Sequence, residues 1–200
     1  TTTQGSISAE YVERLDGFIY DDVLSGDENR NLIAGVGGED TIYGLGGDDV
    51  LGGRDGSDII YGGSGNDELF GDANDYGDSS AVITFGDDKL FGDEGDDILS
   101  GDGGNDTLDG GAGNDQIYAG DGDDIGIYDG LGTDTFHFGA GSDTLMAGNI
   151  TRFSEYRDGD DLVIYSSNST DYARVVGAYA EESRLEYIEY TNTPDEEPYS

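Results

Sequence analysis

The chain is 200 residues long, the length of one domain, and carries 46 acidic against 8 basic side chains, a formal charge of −38 with a pI near 4.1. A field this negative argues against nucleic acid and anionic membrane as partners, and no apolar run reaches the ~20 residues that a bilayer span needs. With no Cys and one His, the chain is not expected to hold a disulfide framework, a thiolate metal site, a His-built zinc centre or a His-based triad.

Acid excess alone describes many disordered tails, but those are featureless. Here the acid is mostly Asp, interleaved with 36 Gly and with regularly spaced Leu, Ile and Val. Residues 1–16 read as a lead-in ending in a degenerate coil, Thr/Ser-rich over the first ten and without a cleavable secretory signal. From Gly17 to Met146 the chain aligns with itself in nines: GVGGEDTIY from Gly35, GLGGDDVLG from Gly44, GRDGSDIIY from Gly53 and GGSGNDELF from Gly62. The pattern resumes as GDEGDDILS from Gly92, GDGGNDTLD from Gly101 and GGAGNDQIY from Gly110, with weaker copies from Gly17, Gly26, Ala119, Asp129 and Phe138. Position 1 is Gly, position 4 is usually Gly, position 6 is Asp and position 8 is aliphatic. One unit, begun at Gly71, is completed only at Gly86 to Phe91, so about twelve residues (Asp75 to Phe85) leave the repeat path as a surface loop with a short β-prone arm.

After Gly148 the pattern changes. Arg152 to Arg157 and Leu162 to Tyr165 flank Asp158-Gly159-Asp160-Asp161, which predicts a β-hairpin. Ala173 to Val176 and Leu185 to Tyr190 read as further strands, so residues 147–191 form a β-rich cap, and 192–200 an acidic, Pro-bearing flexible tail. Neither end carries a clear start or stop signal, as expected of a stretch excised from a longer protein.

The nonapeptide carries its own chemistry. Six residues, GGxGxD, suit a tight turn in which positive φ is allowed; the next three form a minimal strand whose middle side chain points inward. Two nonapeptides make one coil, and coils stack about 4.7–4.9 Å apart as parallel strands do. The expected fold is all-β: a right-handed parallel β-roll with two nonapeptides per coil and a C-terminal β-rich cap. Its inward residues are Leu24, Ile33, Ile42, Leu51, Ile60, Leu69, Leu90, Leu99, Leu108, Ile117, Phe136 and Leu145, with Ile127 displaced by one. An ion midway between two stacked turns lies at bonding distance from both, since calcium takes oxygen ligands at about 2.3–2.6 Å. Each turn offers a short-stemmed Asp carboxylate and carbonyls that Gly leaves open. Magnesium, which demands near-octahedral geometry and holds its waters, fits poorly, and an all-oxygen donor set disfavours zinc and copper.

Turns of alternate units stack on the same side. One ladder is then Asp22, Asp40, Asp58, Asp88, Asp106, Asp124 and Asp143; the other is Asn31, Asp49, Asp67, Asp97, Asp115 and Asp134. Sites between neighbours number at most six plus five. Asn31 lacks charge, Asp22 lies in a degenerate turn and the insertion interrupts both ladders, so about seven to ten ions are expected. Gly17 to Met146 holds 31 acids against three bases; without calcium the core is thin and the repulsion strong, so folding and binding should be one event.

These units resemble the RTX (repeats-in-toxin) calcium-binding β-roll of bacterial proteins exported by type I secretion, over about Tyr11 to Tyr190. YVERLDGFIYDDVLSGDENRNLIAG is similar to the degenerate first coil of such arrays, and RFSEYRDGDDLVIY with ARVVGAY and RLEYIEY is similar to their cap. The resemblance implies a roll that stays unfolded in low cytosolic calcium and folds outside the cell, where folding draws the chain through the secretion machinery and nucleates a fused catalytic or adhesive domain. It carries position-6 Asp over as the side-chain ligand; Asn31, Ala119 and Gly126 depart from the pattern. No catalytic site is expected in this stretch. HExxH is absent, Gly77-Asp78-Ser79 is a chance match to an esterase motif, His137 reads as a strand or surface residue, and no loop follows EF-hand spacing. The alternative reading is an adhesive module that holds polysaccharide or a cell surface on its exposed strand faces, through Tyr43, Tyr61, Phe70, Phe91 and Tyr118 at position 9.

Overall fold

The computed structural model describes residues 6–8, 14–72, 85–148, 153–158, 161–166, 172–176, 178 and 185–190. All regular structure among them is strand, and the strands alternate between two sheets as the nonapeptide requires. The first sheet runs Ser6–Ser8, Val23–Ser25, Thr41–Gly46, Ile59–Ser64, Lys89–Glu94, Thr107–Asp109, Ile125–Tyr128, Asp143–Ala147 and Leu185–Tyr190. The second runs Leu15–Asp16, Leu32–Gly37, Val50–Asp55, Glu68–Phe70, Ile98–Ser100, Gln116–Asp121, Thr133–Ala140, Tyr172–Val175, Asp161–Ser166 and Phe153–Asp158. Every pairing within the repeats is parallel, as in a β-roll, and all nineteen residue ranges were reached without a helix.

Register places like on like. Leu24, Ile42, Ile60, Leu90 and Leu108 pair in sequence on one sheet, and Ile33, Leu51, Leu69, Leu99, Ile117 and Phe136 on the other. The twelve regular inward positions are at most 1% exposed, so the core is a double row, one side chain per strand. Ile127 is a correction. Leu108 pairs with Gly126, not Ile127, so the extra residue does not shift the register. Gly126 takes the inward position, Ile127 is only half-buried, and Tyr128, fully buried, points inward instead. The space is filled by Phe136 and Phe138, whose rings stack with centroids 6.0 Å apart; a Cβ on Gly126 would lie 2.8 Å from the Phe136 ring.

The interruption after Gly71 leaves the roll intact. Ile60 pairs with Leu90 across thirty residues as evenly as Ile42 pairs with Ile60 across eighteen. The chain leaves after Asp72 and re-enters at Gly86, which takes the position-4 place over the Gly56 carbonyl. The predicted loop and its β-prone arm lie outside the described residues except for Phe85, 65% exposed and lying on Gly103. The hairpin forms as its turn signal requires, Phe153–Asp158 antiparallel to Asp161–Ser166 with Asp158 opposite Asp161. It does not stand apart: Asp161–Ser166 pairs with Tyr172–Val175, which pairs parallel with Thr133–Ala140, and Leu185–Tyr190 continues the other sheet beside Asp143–Ala147. Leu162, Val163 and Ile164 are all buried, so this strand is covered on both faces.

Two turn positions lie at positive φ. Position 4 is always Gly in the regular units, with φ from +101° at Gly47 to +158° at Gly113, and a Cβ there would strike the carbonyl of the preceding coil. Position 2 shares the conformation without sharing the residue: Val36, Leu45, Arg54, Asp93 and Asp102 have φ of 92°, 80°, 84°, 74° and 69°. For β-branched Val36 this is strained backbone. Val36→Gly is therefore expected to stabilise the calcium-loaded fold by about 1 kcal/mol, read as a raised melting temperature. Leu99→Ala, at a fully buried position, should destabilise it by about 2–5 kcal/mol. A melting temperature lowered by Val36→Gly would contradict the strain argument.

Candidate metal centre

The position-6 residues form the two ladders read from the sequence. On one, the backbone N–H of Asp22 donates to Asp40 Oδ1 (2.8 Å), Asp40 to Asp58 (2.7 Å), Asp58 to Asp88 (2.7 Å), Asp88 to Asp106 (2.8 Å), Asp106 to Asp124 (2.9 Å) and Asp124 to Asp143 (3.1 Å). On the other, Asn31 donates to Asp49 (2.6 Å), Asp49 to Asp67 (2.7 Å), Asp67 to Asp97 (2.7 Å), Asp97 to Asp115 (2.9 Å) and Asp115 to Asp134 (3.2 Å). Both ladders run unbroken past the insertion. A ladder of opposite direction lies outside it at position 5. There the later coil donates to the earlier side chain, as in Asn105 N–H to Asp87 Oδ1 (2.8 Å) and Asp123 N–H to Asn105 Oδ1 (2.9 Å). Most steps between coils are thus stapled from both sides, which explains why position 5 is mostly Asp, Asn or Ser.

The hydrogen bond uses one oxygen of each carboxylate. The other, Oδ2, is buried without a hydrogen-bond partner in Asp40, Asp49, Asp58, Asp67, Asp88, Asp97, Asp106, Asp115 and Asp124. In all of these but Asp124, whose unit begins at Ala119, it lies against the position-1 Gly of its own unit, where a Cβ would collide with it. At Gly35 and Gly62 the carbonyl oxygen of the next coil's first residue stands 2.8 and 2.7 Å from that same Cβ position. Position 1 is Gly because a buried carboxylate oxygen and a neighbouring carbonyl converge there. Buried groups of this kind are ordinarily satisfied, so an oxygen-seeking cation fits the donor set that the fold assembles. Among the described residues no three carboxylates, Glu or His stand close enough together to hold a metal on side chains alone. That agrees with a site built from one carboxylate per turn plus backbone oxygens.

Electrostatics point the same way. Burial, then the charges of ladder neighbours, push Asp40, Asp49, Asp97 and Asp106 up from 3.8 to about 7 and Asp88 to about 8. Asp58 rises to about 6, and Asp67 and Asp124 also rise, all chiefly by burial. Burial likewise raises Asp115, and burial with the charge of Asp115 raises Asp134, whose Oδ1 accepts the Asp115 N–H.

The ends of the ladders differ. Asp22 Oδ2 accepts the Phe18 N–H at 2.7 Å, and Asn31 Oδ1 accepts the Asp27 N–H at 2.7 Å; both side chains are engaged by their own turn. Asp134 bonds to Asp115, and Asp143 is fully buried at the last coil. Pattern reading missed Asp72, Asp102 and Asp109, each of which also carries a buried oxygen without a hydrogen-bond partner. The first two follow a position-1 Gly, a signal that position 6 overshadowed. The position-9 aromatics divide between the sheets: Tyr43, Tyr61 and Phe91 stack at 5.1 Å on one, while Tyr118 stacks on His137 at 4.6 Å on the other.

This arrangement is matched by a family model, the RTX calcium-binding nonapeptide repeat (4 copies), over residues 16–51, 43–75, 84–108, 100–126 and 127–145. The chain belongs to the RTX calcium-binding repeat family. No curated protein matches this chain. Among solved structures it is similar to the extracellular lipase LipA from Serratia marcescens, at 16% identity and a TM-score of 0.39; the match covers 90% of this chain and 40% of the lipase chain. The RTX chain therefore spans well under half of that protein's length.

Raised carboxyl pKa values fix the sign of a pH effect. A carboxyl at 3.8 when unfolded and about 7 when folded favours the fold while protonated. That contribution is complete below about pH 4 and lost as pH rises through 7. In metal-free solution β content by circular dichroism should therefore be higher at pH 4.5 than at pH 7.5, and apparent calcium affinity should fall over the same acidification as protons compete. Asp97→Asn keeps the acceptor for the Asp67 N–H but removes one buried charge. Isothermal titration should show weaker calcium binding, and circular dichroism in metal-free solution more residual β content than the wild type. A metal-free β content indifferent to both pH and this substitution would refute the electrostatic account.

Proposed function

We propose that the chain is a calcium-triggered folding module of a secreted protein, with Asp40, Asp49, Asp58, Asp67, Asp88, Asp97, Asp106, Asp115 and Asp124 as its main side-chain ligands and Asp22, Asp134 and Asp143 at the weaker ends. The observation that carries this reading is the row of buried, unpartnered carboxylate oxygens along both turn edges. Each has an energetic need for a cation and a donor set suited to calcium. Seven to ten ions is the expected load. The continuity of both ladders across the insertion supports the upper part of that range.

With 31 acids against three bases in Gly17 to Met146, the metal-free roll repels itself, whereas calcium removes the repulsion and satisfies the carboxylates together. A chain with this property crosses a type I secretion channel unfolded where calcium is scarce and folds where external calcium is abundant. Residues 17–146 would be the calcium-loaded roll, and 147–191 the cap that extends its sheets and covers its end. Catalysis or adhesion by the parent protein belongs to a fused domain. The alternative, a carbohydrate platform on the position-9 aromatics, draws less support. Tyr43, Tyr61 and Phe91 stack on one another nearly parallel, at 4° and 12°, so the faces between them are spent on each other and not on a ligand.

Far-UV circular dichroism with a calcium titration, EGTA reversal and a magnesium control tests the proposal. A cooperative coil-to-β transition with calcium and not magnesium is expected. A spectrum already β-rich in EGTA at pH 7.5 would sink the folding-switch mechanism.

A further inference from the structure

Asp72 falls outside the position at which the nonapeptide places a ligand. It is position 2 of the unit begun at Gly71, yet it is only 2% exposed, whereas Asp93, position 2 of the next unit, is exposed. Its Oδ1 accepts the N–H of Gly86 at 3.2 Å. Gly86 is position 4 of the same unit although fourteen residues later, so this one carboxylate ties together the two points where the chain leaves and re-enters the roll. The Gly103 N–H also approaches this carboxylate, and its Oδ2 is buried with no hydrogen-bond partner.

The surroundings supply what a cation needs. Asp88 Oδ2, also buried and unpartnered, lies against Gly71, the residue next to Asp72. The Gly101 carbonyl oxygen stands 2.8 Å from the place a Cβ on Gly71 would take. Asp102, at position 2 of the turn stacked on this one, adds another unpartnered oxygen and acts on Asp72 through its charge. Regular turns contribute one free carboxylate oxygen from a fully buried Asp; this turn contributes two. A doubly charged hard cation is the ligand that oxygen donors of this kind select.

We propose that Asp72, together with Asp88 and the Gly101 carbonyl, binds a calcium ion that holds the two ends of the interrupted unit in register. This rests on the calcium reading of the repeats and adds to it a ligand that the repeat does not encode. The ion does for the interrupted turn what chain continuity does in the others.

The test uses the full chain and calcium alone, with Asp72→Asn and the exposed position-2 control Asp93→Asn. The amide keeps an acceptor for the Gly86 N–H, so a purely structural hydrogen bond survives. Calcium is counted by native mass spectrometry, and hydrogen exchange of Gly86 to Phe91 is followed against calcium concentration. Asp72→Asn is expected to lose one ion that the wild type retains and to need at least tenfold more calcium to protect those amides, with Asp93→Asn unchanged. Asp72→Ser, smaller and still able to accept from Gly86, should repeat the result if the amide does not fit. A calcium-binding chain in which both Asp72 variants keep the wild-type count and midpoint overturns this site alone; a wild-type chain that binds no calcium overturns it together with the reading it rests on.

Discussion

The rest of the structure depends on how each position-6 aspartate divides its two oxygens. One accepts the N–H of the aspartate in the preceding coil, at 2.7–2.9 Å through the middle of both ladders. It thereby sets the step between coils. The other, in the same stretch, is left buried and unpartnered, beside a glycine in every unit but the one begun at Ala119. Metal-free, the same residue that holds the coils together also charges their interior. A protein interior tolerates such a charge only when it is neutralised or paired, so one residue supplies both the hydrogen bond between coils and the oxygen that suits a cation.

That division explains the grammar of the repeat. Glycine at position 1 makes room for the free oxygen, and glycine at position 4 meets both a positive φ and the carbonyl of the coil before it. Position 5 accepts a hydrogen bond running the other way, which short polar side chains provide. In the regular units the aliphatic residue at position 8 is the main hydrophobic contribution of its strand. With so thin a core, local order must come largely from the turns, and the turns are where the charge sits. The position-2 residues show where the pattern bends: Val36 accepts strained backbone there, while Asp72 turns a variable position into a buried carboxylate.

The insertion and the cap show how much irregularity the roll absorbs. Twelve extra residues between Gly71 and Phe91 alter neither the strand register nor the carboxylate ladders, because both are set by contacts between coils and not by spacing along the chain. At the other end, Tyr172–Val175 and Leu185–Tyr190 add to the two sheets and so cover edges that would otherwise offer unpaired backbone.

Sequence alone determined the architecture and the ladders. A period of nine with inward residues at position 8 can close in one way, and a shared period puts every position-6 Asp on one of two edges; the hairpin at Asp158 to Asp161 was equally local in its signal. What only the tertiary structure decided is whatever depends on neighbours eighteen or more residues away. Ile127 read as a displaced core residue, but Gly126 keeps the register because Phe136 and Phe138 fill the space above it. The split use of the two carboxylate oxygens, the reason for glycine at position 1, the exposed ladder at position 5 and the burial of Asp72 all arise between coils. Their causes are contacts across the stack, which a linear pattern does not contain.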